Sequence, residues 1–102
     1  MDVTLRYFDG CPNWQEAHSR VRQALSEAGA PGVALTLHRV ETDEQAQELS
    51  FRGSPTVLVN GHDPFADPSA PVGLACRVYP TATGLAGAPS VAELAAVLRA
   101  AA

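Results

Sequence analysis

Val3, Leu5 and Tyr7 alternate with Thr4, Arg6 and Phe8, the period of a strand whose larger apolar face packs against helices, with Arg6 needing a route to solvent. After Asp9-Gly10, the residues Trp14, Ala17, Val21, Ala24, Leu25 and Ala28 recur at helical spacing, while Glu16, Arg20, Arg22 and Glu27 take other faces. Gly29 supplies a stop, with Pro31 just beyond. Val33, Leu35 and Leu37 alternate with Ala34, Thr36 and His38 before Val40, which predicts a second strand. Thr42 followed by Gln45 has the form of a capping box and opens a short helix to about Ser50, ending near Gly53. Thr56 to Val59 is a β-branched run closed by the turn dipeptide Asn60-Gly61, a third strand. Residues 61–75 hold three prolines and two Asp-Pro pairs and read as an irregular loop. Cys76 to Tyr79 resumes an apolar alternation for a fourth strand, and TATGLAGAP reads as another loop. Ser90 with Glu93 forms a second capping box, and Val91, Leu94, Ala95 and Leu98 line a closing helix.

The resulting order, βαβαββα, predicts an α/β fold: a parallel strand pair joined by a right-handed crossover, then an antiparallel pair, in a central four-stranded mixed sheet flanked by helices. A chain of 102 residues that is 46% apolar suits a single domain, residues 1–102, carrying the irregular loop at 61–75. The net charge of −4 arises from scattered acids, and no Lys/Arg cluster is present to neutralise phosphates, so nucleic acid is not expected as a partner. No apolar stretch reaches the roughly 20 residues that cross a bilayer, and the start lacks the basic flank and apolar core of a secretory signal, so no membrane association and a cytoplasmic location are expected. His18, His38 and His62 fall on separate elements, and the two cysteines form no zinc pattern, so neither a metal nor a cofactor is expected.

Three features together carry a resemblance: Cys11-Pro12 at the first strand-to-helix turn, Ser54-Pro55-Thr56 before the third strand, and the closing helix. On these the chain resembles the thioredoxin-like superfamily of thioredoxins and glutaredoxins in its minimal form. It is also similar to small bacterial thioredoxin-family proteins that share "GCPNW" near the start and "FRGSPTVLVNGHDPF" with "CRVY" in the second half, some of them labelled alkylmercury lyase. The resemblance implies a cis peptide before Pro55, antiparallel first and third strands, and Cys11 and Pro55 at one end of the sheet. It further implies that Cys11 is the catalytic thiol and that Pro12, Trp14, Ser54, Pro55 and Thr56 meet the substrate, a protein or low-molecular-weight thiol or disulfide. The residues by which glutaredoxins hold glutathione are not recognisable here.

A cysteine at a helix start gains from unpaired backbone N–H groups and the helix macrodipole, which favour thiolate over thiol and lower such pKa values from about 8.5 toward roughly 3.5 to 7.5. Pro12 then suits the first helical position. Trp14 stands where a C-x-x-C oxidoreductase has its resolving cysteine. Cys11 is therefore expected to act as a monothiol in thiol–disulfide exchange, to resolve with Cys76, or to capture an electrophile or a soft metal such as mercury. A non-catalytic binding module on the same scaffold is the alternative, with a partner surface around Trp14, Pro55 and Phe65. If Asn60 faces Cys76 across a hairpin, Cys76 lies roughly 13 to 16 Å from the Cys11 end of the sheet at about 3.3 Å per residue. A disulfide needs Cα atoms about 4.4 to 6.8 Å apart, so that register forbids the pair unless the long loop folds back. Asp9 is close enough in sequence to accept a proton or to cap the turn.

Overall fold

A computed structural model describes all 102 residues, Met1–Ala102. The elements run β1 (Val3–Tyr7), α1 (Trp14–Glu27), β2 (Leu35–Arg39), α2 (Asp43–Leu49), β3 (Thr56–Val59), β4 (Tyr79–Thr81), β5 (Gly84–Ala86) and α3 (Val91–Ala101). β1 is central: it pairs parallel with β2, Val3 opposite Leu35, and antiparallel with β3, Val3 opposite Val59. Alternation along β1 and β3 puts Val3, Leu5, Val57 and Val59 on one face, where they meet Ala17, Val21 and Leu25 of α1 and Leu94 and Leu98 of α3. Each large side chain so buried contributes about 1.5–3 kcal/mol. Arg6, on the opposite face, lines a cleft of about 350 Å³ with Arg52 and Thr56. This cleft is the route to solvent that a charged residue on a central strand requires. A second, smaller core of Val40, Ala46 and Phe51 is closed by Phe8, Leu49, Val72 and Leu74.

The helix ends follow the capping residues, with local differences. α3 carries a complete capping box: Ser90 Oγ accepts from the Glu93 amide at 3.1 Å, and the Glu93 carboxylate accepts from the Ser90 amide at 3.2 Å. At α2, Thr42 Oγ1 accepts from the Gln45 amide at 3.1 Å, but Gln45 reaches the amide of Glu41 rather than that of Thr42. α2 stops at Ser50, which takes a left-handed conformation with φ 52°, three residues before Gly53. α1 begins at Trp14 with Asn13 as its N-cap, so Pro12 is not the first helical residue and Cys11 precedes the helix by a turn.

The expected four-stranded sheet is not what forms: the main sheet has three strands in the order β2-β1-β3, and β4 pairs only with β5. Asn60 and Gly61 do turn the chain, both with positive φ as a tight two-residue hairpin turn requires, and Val59 bridges His62. The ladder then stops, because Pro64 has no N–H to continue it and the Asp63 carboxylate accepts from the Phe65 amide at 2.9 Å to bend the chain away. The returning segment runs parallel to the stretch before β3 instead: the Ser54 amide donates to Ala75 O and the Arg77 amide to Ser54 O, both at 2.8 Å. Gly53 makes this approach possible. Its φ is +108°, and a Cβ there would lie 3.0 Å from Arg77 Cβ and 3.2 Å from Ala75 O. TATGLAGAP, expected as a loop, supplies β5 and part of β4, with Thr81 Oγ1 donating to Gly84 O at 2.6 Å across the turn. No helix is long and apolar enough to cross a membrane.

Candidate functional site

Cys11 sits where the chain leaves β1, only 2% exposed, its amide donating to Phe8 O at 3.1 Å. Its thiol donates to Ser54 O at 3.5 Å. Ser54 is fully buried, and its hydroxyl accepts from the Phe8 amide at 3.4 Å, tying the turn after β1 to the segment before β3. The Ser54–Pro55 peptide is cis. Thr56 Oγ1 donates to Gly53 O at 2.7 Å, and the Tyr79 hydroxyl donates to Pro55 O. Cys11, Ser54, Pro55 and Thr56 are thus brought to one end of the sheet.

Cys76 is at the same end, which overturns the antiparallel register that would have carried it away. Ala75 and Arg77 are both bonded to Ser54, so the residue between them lies directly beside the Cys11 neighbour. The long loop folds back and sets Cys76 beside Ser54, the residue whose carbonyl accepts from the Cys11 thiol. Both cysteines are free thiols, Cys11 buried and Cys76 exposed. The Cys76 thiol is pushed above its ordinary pKa, first by desolvation, then by hydrogen bonding with Cys11 and by the charge Cys11 can carry.

The other predicted residues divide. Trp14 stacks on Tyr7, ring centroids 4.2 Å apart and planes 22° from parallel, and packs against the main core, so its ring is occupied in packing. Pro12 is exposed in the turn. Asp9 pairs with Arg39 at 3.0 Å on the surface. No three His, Cys, Asp or Glu side chains gather within reach of one metal ion.

Sequence reasoning singled out Phe65, which packs against the main core, but missed Arg77 and Tyr79, which hold the returning segment. Arg77, 6% exposed, donates to Asp63 at 2.6 Å, to Thr56 Oγ1 at 3.3 Å and to Phe65 O, and lies 4.6 Å above the Tyr79 ring. Phe65 meets Tyr79 edge-on at 5.9 Å. The available signal was Arg77 itself, a charged residue set between apolar ones, whose burial requires an acidic partner such as Asp63. Beside Cys76 opens a cavity of about 560 Å³, walled by Phe65, Val78, Tyr79 and Pro80. Comparison with protein-family models, with curated proteins and with solved structures finds no match to this chain.

Proposed function

We propose that this chain is a thioredoxin-like thiol–disulfide redox protein whose working pair is Cys11 and Cys76. The observation that carries the reading is the shared neighbour: the Cys11 thiol is bonded to Ser54 O, while Cys76 lies in the segment bridged to that same residue. Two thiols that share one backbone neighbour can lose two protons and two electrons to a disulfide RSSR, forming one internal S–S bond and releasing two RSH. Trp14 in place of a C-x-x-C cysteine then matters little, because the second sulfur arrives through the long loop. The closed turn around Cys11 and the Ser54-Pro55-Thr56 segment beside it match the arrangement that the thioredoxin-like resemblance implies.

The test is thiol counting by mass spectrometry after incubation in a dithiothreitol redox buffer of graded potential. The two thiols are expected to disappear together in a single two-electron transition and to return together on reduction. Cys11→Ser and Cys76→Ser should each abolish the transition. Independent modification of the two sulfurs in the unaltered protein, with no internal bond, rejects the reading. Two adjacent thiols are also the donor set for a soft thiophilic ion such as mercury. That second reading predicts one ion bound per chain with both thiols protected from alkylation.

A further inference from the structure

We infer that Cys76, rather than Cys11, is the sulfur that meets the substrate, and that the substrates are low-molecular-weight thiols and disulfides with an apolar body seated in the cavity beside it. The inference rests on the redox reading above. Thiol–disulfide exchange needs the incoming sulfur to reach the attacked sulfur directly, so access decides which one is used. Cys11 is 2% exposed and sits against the fully buried Ser54, whereas Cys76 is exposed and lines the cavity of about 560 Å³ that Cys11 does not.

The size and lining of that cavity indicate what it takes. Its volume lies within the roughly 300–1,000 Å³ of small-molecule sites. Its walls include Phe65, Val78, Tyr79 and Pro80, and its charged members cancel, Arg52 and Arg77 against Asp67 and Glu93. Arg77 is itself paired with Asp63 at 2.6 Å, so the wall carries no cationic excess. Aromatic and aliphatic walls without a cationic excess favour an apolar body and leave a strongly anionic one in water.

The steps balance. In the oxidised protein an external thiolate RS⁻ attacks the Cys76 sulfur, the internal S–S bond breaks, and its electron pair departs on Cys11, which takes a proton. A second RS⁻ attacks the substrate sulfur of the mixed disulfide, releasing RSSR and the Cys76 thiolate, which is protonated. The reverse sequence reduces RSSR.

The experiment uses the reduced full chain and two probes, the aromatic disulfide dithiodipyridine and the zwitterionic disulfide cystine, each rate being normalised to that with free cysteine. With a substoichiometric amount of dithiodipyridine, Cys11→Ser should form its adduct about tenfold or more faster than Cys76→Ser. Peptide mapping of a rapidly quenched reaction with the unaltered protein should place the first label on Cys76. The normalised preference for the aromatic probe should fall on Val78→Glu, which puts a charge into the wall. Equal rates in the two cysteine variants, or a first label on Cys11, overturn the inference. If the internal disulfide nevertheless forms reversibly in the redox buffer, only this assignment of roles fails; if no internal disulfide forms, the redox reading fails with it.

Discussion

Tyr79 places a phenol in the interior, where its hydroxyl donates to Pro55 O and its ring is covered by Arg77 and Phe65. Burial pushes its pKa far above the ordinary value; the charges of Asp63 and Cys11 act in the same direction and Arg77 opposes them. The folded chain therefore keeps this proton where the unfolded chain, with a phenol near pKa 10, gives it up. The stability that follows is complete below about pH 10 and is lost above it, at about 1.4 kcal/mol per pH unit until the folded-state value is reached. Urea unfolding across the alkaline range should show this decline in the unaltered protein and a shallower one in Tyr79→Phe. Parallel slopes for the two would show that Tyr79 does not carry it. Cys11 is the contrasting residue: "GCPNW" marked it as special from the sequence alone, but not that its neighbour would be the Ser54 carbonyl rather than a helix start.

At the level of elements, the segment from His62 to Arg77 decides the site. It leaves the hairpin after one bridge, packs Phe65 onto the core and comes back beside Ser54, and Arg77 fastens it. Arg77 is 6% exposed and the Asp63 side chain 21%, so the pair at 2.6 Å is partly buried, and removing Asp63 strands the buried charge of Arg77. Asp63→Ala should lower stability by about 1–3 kcal/mol in urea unfolding and slow closure of the Cys11–Cys76 bond. Asp67→Ala is the control from the same loop. That carboxylate is exposed and bonded locally to Ser69 at 2.6 Å, so its loss should stay within about 0.5 kcal/mol. A loss for Asp63→Ala no larger than that of the control would remove the ion pair from the account of how Cys76 is held.

At the scale of the whole molecule, a Cys11–Cys76 bond would close a loop over most of the chain and restrict the unfolded state accordingly. Loop-closure entropy for a loop of this length corresponds to about 4 kcal/mol, so oxidised protein should unfold at a clearly higher urea concentration than reduced protein, with no such difference in Cys76→Ser. Identical midpoints would mean that the native packing is strained by the bond or that the bond does not form. The same scale separates what was legible in the chain from what was not. The three helices and the first three strands follow from local pattern, because capping residues, turn residues and periods of 2.0 and 3.6 act over a few positions, and the parallel β1–β2 pair follows from the crossover; the antiparallel β1–β3 pair is an implication of the resemblance. The gathering of Cys11 and Pro55 at one sheet end is likewise implied by the resemblance, and it follows once β1 and β3 run antiparallel. The fourth strand failed because the alternation from Cys76 to Tyr79 states that the segment is extended without stating which edge it will join. Pro64 and the Asp63 turn removed the expected edge, and Gly53 opened another by letting Ala75–Arg77 approach Ser54. The placing of Cys76 beside the neighbour of Cys11 was decided there, by non-local backbone hydrogen bonds and by the Arg77–Asp63 pair, interactions that depend on three-dimensional proximity and leave no period in the sequence.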